Sequence, residues 1–179
     1  MKQLACILVI LHMLLTGCIV SYEGFPQVTV PTTPFSTKEA SIPCYVSKPE
    51  VPYDSDHKTM LQVMAQVGIL SGTVAPDTLP ENGRYCSVQI SEKLVEPGVN
   101  GTLTLVLPAY EGVRYTIEYE IYENRERLKS YQYDFKKQTL LWGLLVAFFW
   151  VNWLNTSKQD AFTATLLQFI RDAQRDGYL

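Results

Sequence analysis

Val113-Arg114-Tyr115-Thr116-Ile117-Glu118-Tyr119-Glu120-Ile121-Tyr122 alternates apolar and polar side chains. A strand points successive side chains to opposite faces, so Val113, Tyr115, Ile117, Tyr119 and Ile121 line one face. Arg114, Thr116, Glu118 and Glu120 line the other. One buried and one solvated face predicts a strand of an antiparallel sheet. Glu123-Asn124-Arg125-Glu126 then reads as a turn, and Leu128 to Phe135 as the returning hairpin partner, with Tyr131, Tyr133 and Phe135 on one face.

Outward from this hairpin, Arg84 to Ser91 and Gly101 to Leu107 show the same alternation and are predicted strands. Ala40 to Val46, with Cys44 inside it, is a predicted first strand. Lys58 to Leu70 has helical spacing. Met60, Met64 and Val67 form a stripe that Leu61, Val63 and Leu70 widen, and Gly72 reads as its stop. Thr73 to Gly83 reads as loop. Near the C-terminus, Ser157-Lys158-Gln159-Asp160 has the pattern of a capped helix start. Phe162, Leu166, Phe169 and Ala173 form its apolar stripe, and Gly177 ends it.

Leu140 to Leu154 stands apart. It is almost wholly apolar and holds all three tryptophans, Trp142, Trp150 and Trp153. A bilayer span needs about 20 apolar residues, and this run is shorter and broken by Asn152. Three readings stay open: a core helix, an element seated on a membrane or a partner protein, and a span. Indole N–H groups favour wet interfaces. Trp142, Phe148, Phe149, Trp150 and Trp153 are therefore the candidate membrane or partner contacts.

The apolar content is 47% and the charged content 18%, against about 25% charged in ordinary soluble domains. A net charge of −3 excludes a dominant nucleic-acid footprint, and the apolar content excludes disorder throughout. At the N-terminus, Lys2 precedes an apolar run from Leu4 to Leu15 that has the length of a signal-peptide core. It ends in Leu15-Thr16-Gly17-Cys18. This tetrad resembles the lipobox of bacterial lipoproteins: an aliphatic residue, a small or hydroxyl residue, glycine or alanine, then cysteine. The resemblance implies a thioether lipid on Cys18, cleavage before it, and palmitate or a similar acyl group on the new amine. Cleavage would remove Lys2 and no acidic residue, leaving 14 basic against 18 acidic side chains. Ile19, where an aspartate would favour inner-membrane retention, implies the outer membrane facing the periplasm.

Pro26, Pro31 and Pro34 sit in a Thr-rich stretch after the lipobox. Residues 18–39 are predicted as a lipidated tether, with a short strand near Gln27–Val30 as the competing reading. At about 3.1 Å per residue the tether could reach some 60 Å. Residues 1–17 are then the signal peptide and 40–179 the envelope domain. The order of elements is also similar to small periplasmic lipoproteins with the TolB N-terminal-like fold, which serve as accessory parts of envelope machines. The fold class expected is α+β: one small domain, a mostly antiparallel sheet of 4–5 strands, two packed helices and an additional apolar helical segment at 140–154.

Cys44 and Cys86 are the cysteines left after Cys6 and Cys18 are set aside. In an oxidising compartment they are expected to form a disulfide, worth about 3–4 kcal/mol for a loop of this length. Tyr53-Asp54-Ser55-Asp56-His57 could ligate a cation, yet Ser55 or Asp56 reads more simply as a helix cap. There is no Gly-x-Ser-x-Gly, no phosphate-binding glycine loop and no Cys–His motif. The reading is a non-catalytic, lipid-anchored envelope protein with no cofactor and no metal. Its partners are the membrane, through acyl chains on Cys18, and an envelope protein. The alternative is a binder of a lipid or small molecule through Tyr115, Tyr119 and Tyr133.

Overall fold

The computed structural model describes residues 17–27, 42–47, 55–69, 71–74, 80–96, 108–142, 152 and 155–179. Six strands, β1 (Gly17–Glu23), β2 (Cys44–Ser47), β3 (Ser71–Val74), β4 (Arg84–Glu96), β5 (Ala109–Glu123) and β6 (Glu126–Trp142), form one mixed sheet. Two helices accompany them, α1 (Ser55–Val67) and α2 (Lys158–Arg175). The strand order is β1-β6-β5-β4-β2-β3. The architecture is α+β, with six strands where four or five were expected. The sheet is mixed: β2 pairs parallel with both β3 and β4, and β1 pairs antiparallel with β6.

The chain forms two compact units. The first comprises 1–23, 92–114 and 136–157, and the second 24–91, 115–135 and 158–179. In the second unit, β2, α1 and β3 form a strand–helix–strand crossover between parallel neighbours, the connection that parallel pairing demands. Helix α1 buries Met60 and Met64 of the stripe read from the sequence, with Val63 beside them, and leaves Val67 half-buried. It stops at Gly68 rather than Gly72. Gly68 has φ +82°, Gly68 N–H donates to Ala65 O at 3.2 Å, and Ile69 N–H donates to Met64 O at 3.0 Å. This is a Schellman cap, which closes two orphan carbonyls through a left-handed residue. Gly72 lies in β3, which replaces part of the expected loop. A four-residue strand is too short to show a period. Gly68→Ala is expected to cost about 1–2 kcal/mol, because a side chain at positive φ clashes with its own carbonyl; a urea titration checks it.

The core of the second unit lies between the helices and the apolar face of β5 and β6. Tyr115, Ile117, Tyr119 and Ile121 are buried, as the alternation predicts, whereas Val113 is half-buried and Glu120, expected on the solvated face, is buried. Phe169 stacks on Tyr119 at 4.5 Å between centroids and meets Tyr131 edge-on at 5.6 Å. Phe162 packs edge-on against Tyr115 and Phe135. Asn124 and Arg125, both at positive φ, make the tight β5–β6 turn, in keeping with the left-handed residues of two-residue hairpins. Gly177 (φ +80°) caps α2 as expected, with Tyr178 N–H donating to Ala173 O at 2.9 Å.

In the first unit β1 pairs antiparallel with β6, from Gly17 opposite Trp142 to Glu23 opposite Lys136. β6 thus runs through Leu140, Leu141 and Trp142, which the sequence reading had placed in an apolar helical segment. Cross-strand hydrogen bonds to β1 extend the hairpin strand beyond its own alternation. Residues 143–151, 153 and 154, including Phe148, Phe149, Trp150 and Trp153, lie outside the described residues, as does the predicted strand at 101–107. Over the middle strand, Lys136 and Glu96 form an ion pair at 2.7 Å. A Cβ at Gly112 would meet Lys136 Cε at 3.0 Å and Glu96 Oε2 at 3.2 Å. Among the described residues no helix is long and apolar enough to cross a membrane.

Candidate anchor site

Cys18 is exposed and its thiol is free. It is the second residue of β1 and stands opposite Leu141. The expectation of a tether from residue 18 is therefore corrected for its first part: Cys18 to Glu23 is sheet, not spacer. Residues 28–41 lie outside the described residues.

β1 is the last strand of the sheet, with β6 on one side. On its other side two asparagine side chains meet three backbone groups of Cys18 and Val20. Val20 N–H donates to Asn152 Oδ1 at 2.9 Å, and Asn152 Nδ2 donates to Cys18 O at 2.6 Å. Asn155 Nδ2 donates to Val20 O at 2.8 Å. A primary amide carries an acceptor and two donors, so one asparagine can answer a strand edge as a neighbouring peptide would. Edge strands with open N–H and C=O groups invite wrong pairing, and here three of those groups are taken up by the asparagines. The sequence reading registers Asn152 only as an interruption of an apolar run. Two asparagines three apart, the first inside an otherwise apolar stretch, were the available signal.

Cys44 and Cys86 are brought together as opposite residues of the neighbouring parallel strands β2 and β4, and both are buried. Both thiols are free, so the expected disulfide is not present. Neighbouring strands lie about 4.7–4.9 Å apart. In-register parallel residues project side by side at that spacing, whereas a disulfide draws the Cβ atoms to about 3.8 Å. Burial pushes the Cys86 thiol well up, and the adjacent Cys44 adds to this. A thiol held protonated is a poor nucleophile.

The other sequence candidates are absorbed by the core. Asp56 is buried in the first turn of α1 and forms an ion pair with Lys158 at the start of α2. No cluster of metal-ligating side chains exists among the described residues; Tyr53 and Asp54 lie outside them. Tyr119 shares a hydrogen bond with Thr165 at 3.3 Å, and Tyr133 donates to Asp172 at 2.8 Å, both on α2. Tyr115 stacks on Phe135 at 4.9 Å. The three tyrosines proposed for a ligand are thus committed to their own helix and hairpin. On the opposite face, Glu120 accepts from Tyr122 and Arg127, each at 2.8 Å. Burial and the Glu120 carboxylate push the Tyr122 hydroxyl up to about 12.

No protein-family model and no curated protein matches the chain. Among solved structures it is similar to a minor lipoprotein from Acinetobacter baumannii, at 9% identity and a TM-score of 0.40, over 74% of this chain and 91% of that one. It is also similar to a neuraminyllactose-binding hemagglutinin homologue from Helicobacter pylori, at 8% identity and a TM-score of 0.40, over 87% of this chain and 97% of that one. At these scores the likeness does not extend to function. The resemblance to TolB N-terminal-like proteins rests on element order, and neither structure adds to it.

Proposed function

We propose that this chain is a non-catalytic lipoprotein of the bacterial cell envelope, held by acyl chains on Cys18 and serving as an accessory or scaffolding part of a membrane-associated complex. The observation that carries the reading is the placement of Cys18. The cysteine that ends the Leu15-Thr16-Gly17-Cys18 tetrad is exposed at the start of a strand, while Cys44 and Cys86 are buried. An exposed thiol is accessible to modification, and acyl chains contribute about 0.8 kcal/mol per buried methylene to membrane binding. The outer membrane is the expected site, from Ile19. A scaffolding role agrees with a fold whose buried tyrosines and cysteines are spent on packing rather than turned towards a substrate.

Mass spectrometry of the mature N-terminus tests this. The expected result is a chain beginning at Cys18 and heavier by two or three acyl groups. Cys18→Ala should abolish the mass increase and move the protein from the membrane to the soluble fraction, a loss of at least tenfold in membrane-bound protein. An unmodified Cys18 in the native host would defeat the proposal.

A further inference from the structure

We propose that β1 is a rigid mount for the lipid, and that the rim of the first unit around Cys18, Leu140, Leu141 and Trp142 sits on the surface of the leaflet that holds the acyl chains. This rests on the lipoprotein reading and adds to it the surface that meets the bilayer. The register carries it. Cys18 lies opposite Leu141, and Gly17 lies opposite Trp142. Cleavage before Cys18 removes Gly17, and the group acylated onto the new amine occupies its place, beside Trp142. The thioether chains leave from the neighbouring Cβ. A flexible tether would let the acyl chains and the protein move independently. Here the backbone carbonyl of Cys18 is bonded to Asn152, and both backbone groups of Val20 are bonded to Asn152 and Asn155. The lipid is therefore joined to the sheet with no spacer; Leu141 shares the face of its cross-strand partner Cys18, and Leu140 and Trp142, half-buried like it, lie on the other face at the same end of the pairing. An indole beside aliphatic side chains suits the headgroup boundary, with its ring in apolar surroundings and its N–H in a polar layer. The charges along the same register fit this direction. Lys136 and Lys137 lie opposite Glu23 and Tyr22, at the end of the pairing away from Cys18.

The test uses the full-length precursor expressed in a bacterial host that processes lipoproteins, carrying Trp150→Phe and Trp153→Phe so that Trp142 is the sole tryptophan. The purified protein is placed in phosphatidylethanolamine–phosphatidylglycerol vesicles containing lipids brominated near the top of the acyl chain. The same sample is analysed by mass spectrometry for acylation of Cys18. The mount predicts at least twofold quenching of Trp142 emission. A ten-residue Gly/Ser insertion between Cys18 and Ile19 should leave acylation intact and abolish most of the quenching. Asn152→Ala with Asn155→Ala should likewise stay acylated and lose at least half of it, with near-ultraviolet circular dichroism showing that the aromatic core of the second unit is retained. Acylated Cys18 with Trp142 unquenched overturns the mount and leaves the lipoprotein reading standing. Quenching unchanged by the insertion also overturns it, because the rim would then bind lipid without rigid attachment. Unacylated Cys18 overturns both.

Discussion

Phe169→Ala is expected to destabilise the protein by about 3–5 kcal/mol, the range for truncating a buried phenylalanine to alanine. Phe169 is 1% exposed and sits where α2 meets the hairpin, stacked on Tyr119 and edge-on to Tyr131. Removing it opens a cavity bounded by two rings that cannot collapse inward. Each is fixed by its hydroxyl: Tyr119 is bonded to Thr165, and Tyr131 donates to Asp176 at 3.0 Å. Domains are stable by only about 5–15 kcal/mol in total, so the variant should be close to its unfolding threshold at 37 °C. Phe169→Leu, which keeps most of the volume, should lose clearly less. Chemical denaturation followed by circular dichroism reads both. A loss under about 1 kcal/mol for Phe169→Ala would mean that α2 is not packed on the hairpin as described.

Raising the pH should unfold the protein cooperatively between about pH 10 and 12. Burial raises the hydroxyls of Tyr85, Tyr119, Tyr122, Tyr131 and Tyr133 above their ordinary value of 10.0. Bonds to Asp176 and Asp172 push Tyr131 and Tyr133 further in the same direction. The fold thus keeps protons that the unfolded chain releases. The stability this contributes is fully present below pH 10, falls as pH rises past the unfolded value, and for Tyr122 is lost by about 12. Tyrosinate absorbance at 295 nm and far-ultraviolet circular dichroism should therefore change together for these residues. Ionisation of all five near pH 10 with the circular dichroism unchanged would contradict the packing. The contact between Tyr131 and Asp176 acts in the opposite sense in acid. The tyrosine hydroxyl holds the Asp176 carboxyl below its ordinary value of 3.8. That contribution is present above the ordinary carboxylate range and is lost as pH falls through the lowered value.

Much of the second unit was legible in the sequence because its signals are local. The alternation from Val113 to Tyr122 placed Tyr115, Ile117, Tyr119 and Ile121 in the core, and the stripe of Phe162, Leu166, Phe169 and Ala173 is buried along α2. Gly177 marked the end of that helix through its own backbone conformation. The misjudged ends include those of β4, β5 and β6, all longer than their apolar alternation, and of α1, which stops four residues before the glycine chosen for it. Strand length depends on a neighbour's hydrogen bonds, which leave no period in the strand's own sequence.

The sequence alone determined which side chains share a face and which cysteine ends a lipobox-like tetrad, since both are matters of spacing along the chain. Tertiary structure decided what those features are attached to. β1 joins β6, Cys44 meets Cys86 without a disulfide, and Asn152 and Asn155 hold backbone groups 132 to 135 residues away. A side-chain amide bonded to a distant peptide has no periodicity to betray it, and only the folded chain brings donor and acceptor within 3 Å.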